Sequence, residues 1–184
     1  MYILYYKMTT KQYEWENTGF LESIQFEKKK DIIYLTRHGN PLTLTTPELR
    51  LPFGVDKNYN GYQLKLQCNH WDSEQDNEHR RFIKFLQKLE DTIRTRLNID
   101  SELLPSQITL LPKYPPIVST KILVNRGDNI GTEFIDMRNN PVNMFHIDKG
   151  EIVVCKLLVD TIRPYKGKLW YKLKCKKVVC VKRH

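Results

Sequence analysis

Trp170, Lys172, Lys174 and Lys176 alternate with Leu169, Tyr171, Leu173 and Cys175. A period of two puts the sets on opposite faces of a strand, so an indole and three ammonium groups share one surface while the apolar set turns toward a core. Binding a single nucleic-acid strand without sequence preference requires cations that follow the phosphates and aromatic faces on which bases stack, at about 1–3 kcal/mol per base. Two plainer readings stand beside this one. A large aromatic outside a core also covers adjoining apolar surface, and a Lys-rich strand also keeps a sheet edge from pairing with other chains.

The charge is concentrated in the same place. The 184 residues carry 30 Lys and Arg against 21 Asp and Glu, a net charge of +9. Arg163, Lys166, Lys168, Lys172, Lys174, Lys176, Lys177, Lys182 and Arg183 account for the whole excess, because no acidic residue follows Arg163 and the chain before it is formally neutral. Such a footprint suits a polyanion, whose neutralised phosphates release condensed counterions. A second alternation sets Tyr62, Leu64, Leu66 and Cys68 against Gln63, Lys65, Gln67 and Asn69, with Trp71 continuing the polar side. Lys65 and Trp71 thus repeat the cation and aromatic pairing. Arg50 is a further candidate, with anchoring through Glu48 as its alternative. Lys113, Tyr114, Lys121 and Arg126 join only if their loops fold toward the same surface.

Catalytic patterns are missing from the sequence. It has no P-loop, dinucleotide fingerprint or HExxH, and its acidic residues are scattered rather than clustered as a metal-dependent nuclease needs. A binding protein without enzymatic activity, cofactor or metal is expected. Cys68 with His70, and Cys175 with Cys180, have ligand-like spacings, but isolated pairs are weak zinc signals. Cys68 and Cys175 also fall on apolar strand faces, where a thiol packs as a small hydrophobe. His38, His79 and His146 have no neighbouring nucleophile or orienting motif and read as loop or surface residues.

Positioning the cationic face takes a scaffold of short strands. Glu151–Val159 is a β-branched run, and with the turn Tyr165-Lys166-Gly167-Lys168 and the strand after it predicts a basic C-terminal hairpin over about 151–184. Ile24–Phe26, Asp31–Thr36 and Leu42–Thr45 read as strands between Lys28-Lys29-Lys30 and His38-Gly39-Asn40-Pro41. Ile117–Val124 and Thr132–Ile135 form a further pair around Arg126-Gly127-Asp128-Asn129. One helix, over about 77–97, follows from the spacing of Phe82, Phe85, Leu86, Leu89, Ile93 and Leu97. Ser73, Asp76 or Asn77 caps its start, and Arg94 and Arg96 complement its C-terminal dipole end. Pro105, Pro112, Pro115 and Pro116 then break the chain into extended connections.

With no internal repeat or compositional break, residues 1–184 read as one all-β (β-rich α+β) domain, an OB-fold-like small β-barrel with one inserted amphipathic helix. A chain of this length buries roughly 70% of its unfolded surface and needs no disulfide framework. No apolar run approaches the ~20 residues that span a bilayer, so no membrane contact is expected. The start MYILYYKMTT lacks the features of a secretory signal, which leads us to expect an intracellular protein with reduced cysteines.

Thr45-Thr46-Pro47-Glu48-Leu49-Arg50-Leu51-Pro52-Phe53-Gly54-Val55 resembles the TPELRVPFGL-type segment of OB-fold single-stranded DNA-binding proteins of nucleo-cytoplasmic large DNA viruses. That group is related to the single-stranded DNA-binding protein of short-tailed phages. The likeness continues, in order, through the helix, Tyr114-Pro115-Pro116, Gly150-Glu151-Ile152-Val153-Val154 and Gly167-Lys168-Leu169-Trp170-Tyr171-Lys172-Leu173-Lys174. It implies an OB-fold that coats and protects single strands during viral DNA replication, recombination and repair, as a homodimer, in the host's viral replication compartment or packaged in the virion. The phage proteins end in an acidic tail that contacts replication partners, whereas this sequence ends Val181-Lys182-Arg183-His184, so replication proteins would be met by another contact. Family members also often carry an aromatic where this chain has Arg163-Pro164. Residues 1–19, with Trp15, lie outside the resemblance and read as an extra strand or dimer contact.

The residues expected to bind DNA are Trp170, Lys172, Lys174, Lys176, Lys168, Lys166, Arg163, Lys65, Trp71 and Arg50. Two other classes share the same features. One is a virion structural or interaction protein whose basic hairpin meets packaged DNA or an acidic partner. The other is an RNA binder that reads the 2′-OH.

Overall fold

A computed structural model describes residues 12–59, 61–69, 71, 76–125, 129–159 and 161–181. Its strands in chain order are β1 (Ile24–Lys29), β2 (Ile32–Arg37), β3 (Asn40–Pro41), β4 (Thr43–Thr45), β5 (Leu49–Arg50), β6 (Val55–Asn58), β7 (Gly61–Gln67), β8 (Ile108–Leu111), β9 (Tyr114–Ile122), β10 (Glu133–Asp136), β11 (Ile152–Leu158), β12 (Thr161–Tyr165), β13 (Lys168–Tyr171) and β14 (Leu173–Cys180). The helix α1 (Glu78–Leu97) lies between β7 and β8. None of the helices among the described residues is long and apolar enough to cross a membrane.

Five of these strands close a ring. β5 pairs with β7, β7 with β9, and β11 with both β5 and β14. The ring shuts where β14 runs parallel to β9, with Leu173 opposite Thr120 and Cys175 opposite Ile122. In chain order the circuit is 1-2-3-5-4, antiparallel except at that closure, which is the OB-fold arrangement. Alternate residues fill the interior, as period-2 strands require: Leu64 and Leu66, Val118 and Ile122, Val153 and Leu157, and Leu173 are all buried. The four cysteines, Cys68, Cys155, Cys175 and Cys180, are buried free thiols. Burial pushes the Cys68 thiol up to about 12.

The first ring strand is interrupted between β4 and β5, inside the segment Thr45–Val55. Thr46 mends the ladder: its N–H donates to the Cys155 carbonyl at 2.9 Å, and its Oγ1 accepts from the Cys155 N–H at 2.9 Å. Pro47, which has no N–H to leave unpaired, stands at the break. Gly54 has φ +67°, and a Cβ there would lie 2.9 Å from the Ile147 carbonyl oxygen, so the turn into β6 requires glycine.

α1 buries Phe82, Phe85, Leu86, Leu89 and Ile93, with Leu97 half-buried at the margin of the same core. Asn77 is the N-cap and accepts from the Arg80 N–H at 3.0 Å. Asp76 instead pairs with Arg81 at 3.2 Å, and Ser73 lies outside the described residues. Glu90 is buried on the apolar face, where it accepts hydrogen bonds from the Tyr171 hydroxyl, from Ser106 Oγ at 2.9 Å and from the Gln107 N–H at 3.0 Å. Trp15 is neither in a strand nor on an exposed surface. Its ring packs 5.5 and 5.2 Å from those of Phe82 and Phe85, and its Nε1 donates to the Thr45 carbonyl at 2.7 Å, clasping the helix to the first ring strand.

The basic C-terminal region is not a single hairpin. β11 and β14 do pair antiparallel, but between them the chain leaves the barrel to form a separate hairpin, β12–β13. Lys166 and Gly167 turn it with φ +50° and +74°, the left-handed pair that a two-residue hairpin loop needs. β12 also pairs with β2, giving a second sheet in the order β1-β2-β12-β13, with β3 on β2. Lys172 lies in no strand and carries the chain from one sheet to the other, so one unbroken alternation in sequence serves two sheets. Ile117–Val124 and Thr132–Ile135 likewise do not pair along their length. They meet through the Val124–Ile130 bridge, while β10 runs parallel to β14. His70, Arg126, Lys182 and Arg183 lie outside the described residues.

Candidate nucleic-acid interface

The second and third ring strands, β7 and β9, turn Gln63, Lys65 and Gln67, and Ser119 and Lys121, outward. Gln63 lies opposite Lys121 and Lys65 opposite Ser119. The parallel closure sets Lys174 opposite Lys121, so two like charges face each other across one ladder. Directly opposed like charges destabilise a sheet. Burial, and then the Lys172 and Lys174 charges, hold the Lys121 ammonium below its usual value.

Two clefts run along this face. The larger, about 650 Å³, is lined by Lys57, Tyr62, Lys121, Phe145 and Lys174 among others. The smaller, about 140 Å³, is lined by Tyr62, Gln63, Lys121, Trp170 and Lys172 among others. Tyr62 and Lys121 belong to both, so the clefts form one groove. Its aromatic residues are held in place by neighbours. The Tyr62 and Phe145 rings meet edge-on at 5.7 Å, the Lys57 ammonium lies 5.4 Å from the centre of the Tyr62 ring, and Trp170 donates from Nε1 to the Tyr165 carbonyl at 3.2 Å. Phe145 is 65% exposed and offers the groove an open ring face on which a base can stack. Beside the groove, Asp56 accepts from Gln63 Nε2 at 2.8 Å and lies 3.9 Å from the Lys65 ammonium.

The structure brings together Trp170, Lys172 and Lys174 in this groove. Lys65 and Arg50 share its outer face farther along. Lys65 lies 5.2 Å from the centre of the exposed Phe53 ring, and Arg50 is opposite Gln67 in the ladder. Arg163, Lys166 and Lys168 are instead on the second sheet. Lys176 is exposed where β14 bulges against β11, and half-buried Trp71 sits in a turn after β7; neither lines the groove. Lys57, Tyr62 and Phe145 were not singled out from the sequence as binding residues. Tyr62 falls on the inward parity of β7 and Phe145 in a 3₁₀ turn, Met144–His146, where no periodicity marks it.

The Lys121 environment has a measurable consequence. A bound polyanion favours the ammonium form, so binding raises its lowered pKa and takes up protons. Affinity for a polyanion is expected to fall as pH rises through the free protein's Lys121 pKa, and Lys121→Arg is expected to flatten that decline. Titrations in buffers of different ionisation enthalpy measure the proton uptake directly.

No protein-family model matches the chain, and no curated protein does. Solved structures do match. The single-stranded DNA-binding protein from bacteriophage Enc34 superposes with a TM-score of 0.55 at 13% identity, covering 87% of this chain and 90% of that one. The same phage protein in complex with single-stranded DNA gives 0.53 at 14% identity, over 89% and 97%. The structure of gp2.5, a single-stranded DNA-binding protein encoded by bacteriophage T7, gives 0.53 at 12% identity, over 78% and 88%. The chain therefore shares the barrel fold of these phage proteins across most of its length.

Proposed function

We propose that this protein binds single-stranded DNA without sequence preference, coating and protecting exposed strands during DNA replication, recombination and repair. The observation that carries the reading is the pair of adjoining clefts, sharing Tyr62 and Lys121, whose linings bring Trp170 and Phe145 together with Lys172, Lys174 and Lys57. The groove lies on the second and third strands of the barrel, the face with which OB-folds take oligonucleotides. Stacking faces and phosphate-tracking cations along one path serve any base sequence. The fold shared with phage single-stranded DNA-binding proteins supports the same reading, and the likeness of Thr45–Val55 to the viral segment supports a role in viral replication. The reading is of a binding protein, with no catalytic step.

Fluorescence anisotropy with a labelled ~30-nucleotide single strand and the matching duplex tests it. Preference for the single strand is expected, with affinity falling in salt by a log–log slope of about −0.7 per phosphate contact and with quenching of tryptophan emission. Equal affinity for the two, or none for either, would overturn it.

A further inference from the structure

The second sheet carries cations that the barrel groove does not use. In its register Ile162 lies between Ile33 and Tyr171, all three buried, so the next row, in which Arg163 faces Trp170, is on the outer side. Lys29 is on that side too, opposite Ile32, with its ammonium 5.6 Å from the centre of the Tyr34 ring. Because β12 runs antiparallel to β2, the turn at Lys166-Gly167 and the turn at Lys30-Asp31 project from the same edge. That end gathers exposed Lys29, Lys30, Arg163, Lys166 and Lys168, against the carboxylates of Asp31 and of Glu27, which pairs with Lys29 at 3.1 Å; Lys28, opposite Ile33, is on the other face. Trp170 is the joint between the two surfaces, since it lines the barrel groove and pairs with Arg163 on the sheet.

We propose that a single strand leaving the barrel groove at Trp170 continues across this outer face, its phosphates running over Arg163 toward Lys29 and the Lys30-Asp31 turn. The four strands β13, β12, β2 and β1 add about 14 Å of path at the usual strand spacing. This rests on the groove being the single-strand site, and it goes further in giving the protein a second segment of footprint that only longer strands reach. The like-charged tips tolerate each other in water and are neutralised when the backbone lies between them.

The test compares the protein with a variant carrying Lys29→Gln and Lys30→Gln, titrated with single strands of about 8 and about 30 nucleotides; OB-folds cover roughly 4–16 nucleotides each. The variant is expected to lose about tenfold in affinity for the long strand, with a salt slope flatter by about 0.7 for each phosphate contact removed, and nothing for the short one. An unchanged affinity for the long strand would overturn the path. Equal loss at both lengths would overturn it too, by showing a diffuse attraction rather than a track. Failure of the unaltered protein to bind even the short strand would instead overturn the groove reading itself.

Discussion

Replacing Trp170, Lys172 and Lys174 together by alanine is expected to weaken binding of a ~30-nucleotide single strand by about 10²- to 10³-fold near 0.1 M salt. One lost stacking face accounts for about 1–3 kcal/mol, and two lost phosphate contacts flatten the log–log salt slope by about 1.4. The variant should still fold, because the buried residues that alternate with these three, Tyr171 and Leu173, are untouched. Separating the two contributions is straightforward. Trp170→Phe keeps a ring and should retain most of the affinity with an unchanged salt slope, whereas Lys172→Ala with Lys174→Ala should lower both. Retained affinity in the triple variant, with an unaltered circular dichroism spectrum, would remove the groove as the binding site.

Glu90→Ala is expected to lower the unfolding free energy by about 3–5 kcal/mol, the cost of taking one partner from a buried, hydrogen-bonded charge cluster. The carboxylate is 3% exposed and joins four groups: the Tyr171 hydroxyl, Ser106 Oγ, the Gln107 N–H and, at 3.5 Å, the Arg94 guanidinium. Its loss leaves the buried Tyr171 O–H without an acceptor, and such an orphan costs about 1–3 kcal/mol. Burial, and then the Glu90 charge and hydrogen bond, push the Tyr171 phenol well above its usual value, so it remains a donor at physiological pH. Tyr171→Phe leaves the carboxylate its other donors and should cost less than Glu90→Ala. Urea unfolding that shifts in midpoint at a constant slope would measure both. A loss below about 1 kcal/mol for Glu90→Ala would mean that the cluster does not pin α1 to β13. The location gives this buried group a functional reach, because Tyr171 ends β13 between Trp170 and the linking residue Lys172 and so fixes the backbone on either side of it.

Wherever one face of an element is buried, the sequence is readable. The alternations around Leu64 and Leu173 and the helical spacing from Phe82 to Ile93 correspond to the elements observed, and the cationic side of the β13–β14 run is outward. What alternation cannot express is which strand pairs with which. The closure of β9 on β14 joins Thr120 to Leu173, a contact specified by the whole ring rather than by either strand. For the same reason the departure at Lys172 is invisible, since the inward and outward pattern continues unbroken across it. The groove was legible where it coincides with a strand face, as at Trp170 and Lys174. At Lys121 it was legible only conditionally, since that residue's importance comes from two lysines brought beside it by the closure, and it was not legible at Phe145, whose turn carries no period. Glu90 was hidden by its own helix, where a carboxylate among phenylalanines and leucines gives no sign of the three donors that meet it from outside the helix.

The four buried thiols bear on how the protein ages. All of them lie on or beside ring strands: Cys68 just after β7, Cys155 on β11, and Cys175 and Cys180 on β14. While the ring is shut the buried sulfurs are shielded from oxidants and alkylating agents, and a thiol that burial holds protonated, as it does Cys68, is a poor nucleophile. Once the ring opens, several become reactive together. Chemical damage to this molecule is therefore metered by how often the barrel comes apart rather than by how oxidising its surroundings are, and anything that bridges the ring from outside also slows its oxidation.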